Sequence, residues 1–377
     1  MIYGYDIRTA VQNGLYSRTM MVNLGENLRA LSGPVLITGH TGFKGTWLTL
    51  LLEQLNIPVI GIALPAEEHS LFNRADRLGA IPESFFDIRN FDLLSSFVKQ
   101  YQPSTIVHLA AQPLVLESYE KPRETFETNV LGTANVLSAA HESNSVIAVV
   151  VATTDKVYKN DNLEKFFVES DPLQGNDPYS ASKVGAESVV IAWQQISKLR
   201  GGPRTISVRA GNVIGGGDWS KDRLLPDLIR GFSTHNPVTI RNARSTRPWQ
   251  HVLDPLNGYV MALEAMVKGV ELDSLNFGPE SASLAVKDIV ETSRKSWPSH
   301  TLVEYLDDCQ TSPIESTNLQ LNSAKARAVL NWSSRWGQSH AVTSTIEWWN
   351  KVINHGISPY EACQDDLRIL LGKSPNA

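Results

Sequence analysis

Residues 34–45 read Pro-Val-Leu-Ile-Thr-Gly-His-Thr-Gly-Phe-Lys-Gly. The first five form a short apolar, β-branched run, which predicts a buried parallel strand over Pro34–Thr38. Gly39, Gly42 and Gly45 follow at intervals of three, and the apolar-periodic stretch Thr46–Leu55 then predicts a helix. Strand, glycine turn and helix in this order make a dinucleotide-binding arrangement. One glycine allows the tight turn, another lets the backbone approach a pyrophosphate, and a third lets the helix pack close to the strand. The helix N-terminus offers free N–H groups and a partial positive charge to the phosphates. Three glycines alone are equally a plain β-to-α turn; their placing between strand and helix favours the cofactor reading.

Outward from this turn the pattern repeats. Val59–Leu64, Thr105–Ala110 and Val146–Ala152 are further apolar runs, and Asp92–Tyr101, Thr125–Ser143 and Ser180–Leu199 have helical character. Strands alternating with helices imply an α/β, doubly wound parallel sheet of the Rossmann type, since such crossovers are right-handed. After Val208 the period loosens, which suggests a smaller, mixed C-terminal substrate-binding domain. The expected organisation is an N-terminal extension over 1–32, with a short helix over Leu24–Leu31, and a dinucleotide-binding domain over 33–210 with a return segment at about 252–280. Residues 211–251 and 281–377 then form the second domain. There are no internal repeats and no low-complexity linker.

Composition narrows the classes. A chain of 377 residues with 42% hydrophobic content can bury a large core. A net charge of −5 and a pI near 6.0 argue against nucleic acid as partner. Two cysteines, Cys309 and Cys363, exclude a disulfide framework, and no metal site is expected. The longest apolar runs, Ser145–Ala152 and Trp47–Leu52, are too short for a membrane span. No signal peptide is readable, so a cytoplasmic protein with no membrane partner is expected.

Tyr179-Ser-Ala-Ser-Lys183 places a phenol and an ammonium four residues apart, on one helix face. A nearby positive charge lowers a phenol's pKa, which gives the base that hydride transfer from an alcohol requires. Just beyond the strand ending at Ala152 stand Thr153-Thr-Asp-Lys156, at the carboxyl edge where reactive groups gather in such sheets. Thr and Asp there also suit a helix cap or turn. An alcohol dehydrogenase needs only Tyr, Lys and a hydroxyl; an additional acid and base, Asp155 and Lys156, suggest additional proton transfers such as an elimination.

The second strand ends in Ile62-Ala63-Leu64, without the acidic residue that would hold an adenosine ribose and without an arginine for a 2′-phosphate. Asp87 is a candidate adenine contact or, equally, a helix N-cap before Phe91. Between Arg204 and Arg247 eight Lys or Arg face three Asp. Charge runs are usually solvated faces. Here the arginines alternate with Trp219, Pro226, Pro248 and Trp249, which suits an anion-binding pocket wall. Trp332–Trp349 reads as C-terminal core packing or a partner surface.

Taken together, Gly39–Gly45, His108-Leu-Ala-Ala-Gln-Pro-Leu114, Thr154-Asp-Lys156, Asp177–Lys183, Arg209–Trp219, Asp222–Pro226 and Arg247–Val252 resemble the CDP-glucose 4,6-dehydratases of the extended short-chain dehydrogenase/reductase family. The resemblance runs from about residue 34 to about 350. It implies NAD as cofactor, held by Gly39, Thr41, Gly42, Phe43, Gly45, Asp87, Ile88, Leu109, Ala110, Ala111, Tyr179 and Lys183. It implies that Tyr179, with Lys183 and Thr154, takes the proton of the glucose 4-hydroxyl. Asp155 then protonates the leaving 6-hydroxyl, and Lys156 stands at the position of the C5 base, where relatives acting on dTDP-glucose carry Glu. Such a lysine must be neutral, through burial or a neighbouring cation. Gln112, Asn212, Arg223, Leu224, Arg241 and Arg247 are the implied substrate-binding residues; His251 lies in the motif but suits packing as well. The expected partner is a nucleotide sugar, with a homodimer or higher homo-oligomer and a place in O-antigen or lipopolysaccharide deoxysugar biosynthesis. The chain departs from the family pattern at Leu116, Val157, Phe167-Val168 and Ile314. The rival readings are a dehydratase or 4-epimerase on another nucleotide sugar, and a cofactor-binding scaffold.

Overall fold

The computed structural model describes residues 24–161, 165–240, 243–281, 283–297, 301–305 and 319–373. Seven strands form its central sheet: β1 Val35–Thr38, β2 Val59–Ala63, β3 Glu83–Phe85, β4 Thr105–His108, β5 Ala148–Ala152, β6 Arg204–Ala210 and β7 Ser274–Phe277. They lie in the order β3-β2-β1-β4-β5-β6-β7, every pair parallel. The strand order reverses between β1 and β4, whose ends Thr38 and His108 are paired in register. In a doubly wound sheet that switch point opens a crevice beyond the carboxyl ends of the strands. The α/β, doubly wound expectation is therefore met. β3 was not expected, because Glu-Ser-Phe carries no apolar run and lies at the sheet edge, only partly buried.

Helices α1 (Phe43–Gln54), α2 (Phe91–Tyr101), α3 (Gly132–Glu142) and α4 (Pro178–Arg200) make successive crossovers. α5 (Leu224–Thr234) leaves the sheet, and α6 (Leu253–Val267) returns to it before β7. Alternate strand residues point to opposite faces. Val35, Ile37, Val107, Val150 and Val208 pack with Trp47, Leu51, Leu256 and Leu263 of α1 and α6. Leu36, Ile60, Ile106 and Val149 pack with Phe97, Val136 and Val190 of α2, α3 and α4. α1 begins at Phe43, three residues before the apolar period becomes visible at Thr46. It is buried on every side from Gly45 to Leu52, which is why it reads as continuously apolar rather than amphipathic. Each of its fully buried leucines contributes roughly 1.5–3 kcal/mol.

Beyond α6 the chain adds α7 (Val286–Ser296), α8 (Gln338–Asn354) and α9 (Pro359–Leu370). Trp332, Trp336, Trp348 and Trp349 are all buried in the main core, so the C-terminal tryptophans are packing residues and not a partner surface. His251 is also fully buried, stacked on Trp336 at 4.2 Å with its Nε2 3.3 Å from Asp366 Oδ2 of α9, which settles it as a packing residue. Val157 is a core residue too, beside Tyr158, Phe167 and Leu321. Leu116 and Val168 are exposed. Cys363 is buried. Arg241, Ile314, Cys309 and residues 1–23 lie outside the described residues. Among the described residues no helix is long and apolar enough to cross a membrane, and no cluster of His, Cys, Asp or Glu suits a metal ion.

Candidate active site

The glycine turn occupies the switch point. Gly39 has φ +76°, in the left-handed region, and a Cβ there would meet Ala110 N at 2.8 Å. A Cβ on Gly45 would meet Gly39 O at 2.1 Å, so α1 packs directly on the turn. Gly42, the N-cap of α1, would meet only Gly39 O, at 3.3 Å, and no side chain caps the helix. The turn thus presents Gly42 and the free amides of α1 outward, a cradle that fits a diphosphate. Thr41 Oγ1 donates to Leu64 O at 3.0 Å, tying the turn to the end of β2. Phe43 packs under Gly215.

Across the crevice, Leu109 and Ala110 donate their backbone N–H groups to Thr38 Oγ1, each at 3.2 Å. Thr133 donates to Asn129 O at 2.7 Å, so His108 Nε2–H donates to Thr133 Oγ1 and its Nδ1 accepts from Thr38 at 2.6 Å. Burial, with the charge of Lys183, pushes His108 down to about 3, so this ring is neutral and fixes the tautomer and the loop after β4. Ala111 continues that loop.

Asp87 stands apart, beyond β3. Its oxygens accept from Arg89 N (2.8 Å), Nε (2.9 Å) and Nη2 (2.7 Å). Burial pushes its carboxyl up, but these hydrogen bonds outweigh it and hold the pKa below the ordinary value. The N-cap of α2 is Asn90, which accepts from Leu93 N at 3.1 Å; the capping alternative for Asp87 is therefore wrong, because the helix starts later than a cap at Asp87 allows. Ile88 is buried against Gly132.

α4 opens on Asp177, with Pro178 in the first turn and a reciprocal cap to Ser180. Tyr179 is thus the second residue of the helix, its own N–H donating to Ser118 Oγ at 3.1 Å. One turn on, Lys183 Nζ donates to Ala152 O at 3.2 Å, at the end of β5. Thr154 caps a single 3₁₀ turn over Asp155–Val157. Its hydroxyl donates to Asp155 Oδ1 at 3.0 Å and lies near the Tyr179 phenol. Gly211 covers Asp155 closely, since a Cβ there would meet Asp155 Oδ2 at 2.8 Å, and Pro248 closes over the same place. The structure therefore brings Thr154, Asp155, Tyr179 and Lys183 together, with Lys156 half-buried beside them.

Burial dominates the electrostatics. Asp155 is raised by burial, against the charges of Lys156 and Arg247 and the Thr154 hydrogen bond, so it tends to keep its proton. Lys183 is lowered by burial to about 8, although Glu187 raises it. Tyr179 goes to about 12, contrary to the expected lowering by Lys183. Burial, with the charge of Asp155, outweighs the pull toward phenolate from Thr154 and Arg223.

The basic segment divides. Arg209 and Arg230 are held by Glu187 and Asp227. Arg223 Nη1 donates to Asp218 Oδ2 at 3.1 Å yet reaches the field of Tyr179, and Arg247 reaches that of Asp155. Leu224 opens α5 against the core. Asn212 O accepts from Gln250 N at 3.1 Å. Gln112 turns inward: its amide donates to Leu114 O and Thr125 Oγ1 and accepts from Leu114 N. Three residues escaped the sequence reading. Glu187, one turn past Lys183, continues the i, i+4 face of α4. Asn129, in a π-helical turn over Glu127–Leu131, binds Gln112 and Ser182 Oγ. Lys44 is the third, and its signal was a lysine at a helix N-terminus.

The model of the NAD dependent epimerase/dehydratase family matches residues 35–278. The CDP-glucose 4,6-dehydratase of Salmonella typhimurium is 40% identical over 323 residues, 83% of this chain and 89% of its own. The dTDP-glucose 4,6-dehydratase of Haemophilus influenzae is 25% identical over 339 residues, 84% of this chain and 97% of its own. Among solved structures, the Thermus thermophilus UDP-glucose 4-epimerase in complex with NAD matches with a TM-score of 0.72 at 21% identity, over 84% of this chain and 99% of that one.

Proposed function

This chain belongs to the NAD dependent epimerase/dehydratase family, and we propose that it dehydrates CDP-glucose to CDP-4-keto-6-deoxyglucose, with NAD as its cofactor. The observation that carries the reading is Asp155, a buried carboxyl group inclined to keep its proton, beside the Tyr179–Lys183 pair. Epimerisation at C4 needs a base for one hydroxyl. Elimination needs in addition an acid for the leaving hydroxyl and a base for a carbon-bound proton, and Asp155 and Lys156 supply that surplus. The 40% identity to a CDP-glucose 4,6-dehydratase supports the substrate.

NAD, when bound, supplies the hydride acceptor for C4 and the donor for C6. The proton work falls to the chain. Tyr179 takes the proton of the 4-hydroxyl, its phenolate favoured by Thr154, by Arg223 and by the N-terminal end of α4. Lys183, buried one turn away, adds its charge to the same end. The 4-keto group acidifies C5; Lys156 takes that proton while Asp155 protonates the departing 6-hydroxyl. Water leaves, C5 regains a proton, and the cofactor ends each turnover as it began. The residues we assign to the cofactor are Gly39, Thr41, Gly42, Phe43, Gly45, Asp87, Ile88, Leu109, Ala110, Ala111, Tyr179 and Lys183. To the nucleotide diphosphate we assign Arg223, Arg247 and Arg241, with Asn212, Leu224 and Gln112 shaping the pocket. Residues 211–251 and 281–377 make up most of the substrate side. We further place the enzyme in the cytoplasm, in O-antigen or lipopolysaccharide deoxysugar synthesis, as a homodimer. Exposed Leu116, Tyr119, Leu131 and Ile191, on α4 and on segments that pack with it, support the dimer.

The test is a panel of nucleotide glucoses followed by mass and by alkaline 4-keto absorbance. Loss of one water from CDP-glucose, without net NADH, is the expected result. Loss of water from another nucleotide glucose moves the specificity elsewhere; no loss from any of them removes the dehydratase reading and brings the epimerase forward.

A further inference from the structure

Lys44 is the second residue of α1, at the end that faces the crevice. A helix N-terminus already carries a partial positive charge and favours acidic side chains; a lysine there adds charge where the backbone supplies it. Its surroundings repeat the conflict. Burial, then the charges of Arg223 and Lys183, oppose the protonated ammonium, and Asp155 is the charge that favours it. Lys183 has the Ala152 carbonyl, and Arg223 has Asp218. Lys44 makes no hydrogen bond or ion pair with any described residue; its ammonium lies 5.8 Å from the centre of the Tyr259 ring. Tyr259, on α6, is itself fully buried, and its hydroxyl has no hydrogen-bond partner among the described residues. Burial, and then Tyr179, push that hydroxyl up, so Tyr259 lies near the reactive cluster.

An unpaired buried hydroxyl is costly, and the half-buried ammonium over its ring meets more positive charge than negative. Local rules broken without a compensating contact mark functional positions. An anion with several acceptor oxygens satisfies both groups at once. We propose that Lys44 and Tyr259 are ligand-facing groups of this site, the ammonium neutralising and the hydroxyl hydrogen-bonding an oxygen of a diphosphate ester. A diphosphate reaches this crevice from two sources, the dinucleotide and the nucleotide sugar. The second source rests on the function proposed above; the first rests only on the family's cofactor.

The experiment titrates NAD, and separately CDP, into the full-length protein and its Lys44→Met, Lys44→Arg and Tyr259→Phe variants by calorimetry, with thermal unfolding of each. Lys44→Met keeps the stem and removes the charge. It weakens one ligand at least tenfold, and the ligand weakened identifies the source. Lys44→Arg keeps affinity within about threefold, as expected where charge is what matters. Tyr259→Phe weakens the same ligand at least twofold; no change removes the hydroxyl from the assignment. Without ligand, Lys44→Met melts no lower than the unmodified protein, because it loses an uncompensated charge, and ligand raises its Tm by less. Unchanged affinity for both NAD and CDP overturns the proposal. So does a fall in ligand-free Tm with equal losses in the Met and Arg variants, which marks a packing role. Failure of the dehydratase reading shows separately, as an unmodified protein that binds NAD but releases no water from CDP-glucose.

Discussion

Arg209 on β6 donates from Nε and Nη2 to the two carboxylate oxygens of Glu187 on α4, each at 2.8 Å, and both side chains are buried. The same carboxylate accepts from Thr153 Oγ1 at 2.6 Å and Ser207 Oγ at 2.7 Å. Glu187 lies one turn beyond Lys183 and two beyond Tyr179, so this bidentate pair fixes the reactive face of α4 to the carboxyl ends of β5 and β6. Removing one partner of a buried pair leaves the other uncompensated. Glu187→Ala is expected to destabilise the protein by about 3–5 kcal/mol, read as a lower urea midpoint at unchanged slope. A loss below about 1 kcal/mol contradicts the anchoring role.

Asp155 and Lys156 separate elimination from oxidation. In Asp155→Asn the burial and shape persist while the donated proton is gone. Turnover is expected to fall roughly 10²–10⁴-fold, while NADH absorbance still rises on mixing with substrate, because C4 oxidation does not need the acid. In Lys156→Met, solvent deuterium is no longer exchanged into C5. A variant at Asp155 that dehydrates at the unmodified rate refutes the assignment of the acid.

Asp254, on α6 and away from the reactive cluster, accepts from the backbone N–H of Arg335 at 2.5 Å and of Trp336 at 3.4 Å. Burial raises it from an ordinary aspartate's 3.8 to about 6, against those hydrogen bonds and the charge of His251. The folded state therefore binds more protons than the unfolded one between these values. Its contribution is full below pH 3.8 and is lost as pH rises through 6, on the order of 3 kcal/mol. Asp254→Asn flattens that window. Melting temperatures of the two proteins, compared pH by pH, should converge or cross in the variant's favour on going from about pH 4 to about pH 6. A constant difference means that Asp254 does not titrate there.

The fold was legible because a buried parallel strand declares itself as a run of Val, Ile and Leu. Val35–Thr38 and Ala148–Ala152 do so, and β3, an edge strand of Glu-Ser-Phe, does not. The site was legible where chemistry sits at a fixed spacing, as in Gly39–Gly45 or Tyr179–Lys183. It was obscure where the partner is remote in sequence, as where Glu187 meets Arg209, and where a local pair displaces a cap, as where Asp87 meets Arg89 in place of a helix end. The sign of the Tyr179 shift was also beyond reach, since it depends on how deeply the ring is buried and not on which cation lies four residues away. Lys44 carries a local signal, a lysine at a helix N-terminus, but the glycines around it account for the motif without it.

The three glycines of the turn have separable tasks, and alanine tests them. At Gly45 a methyl group would strike Gly39 O and His40 Cα, at 2.1 and 2.6 Å, both backbone atoms that cannot move without displacing α1. Gly45→Ala is expected to cost about 1–3 kcal/mol by overpacking and to lower Tm with or without cofactor. At Gly42 a methyl group meets only Gly39 O, at 3.3 Å, and the backbone is extended with φ −74°, which alanine adopts freely. Gly42→Ala should therefore leave the ligand-free Tm within a degree or two, since a site that accommodates the new residue changes stability by well under about 1 kcal/mol. The methyl group instead stands where the diphosphate would approach the amides of α1, so NAD affinity should fall at least tenfold, measured by calorimetry on the stripped protein. If Gly42→Ala melts early and binds NAD normally, the close approach is not at Gly42 and the cradle must be redrawn around another part of the turn.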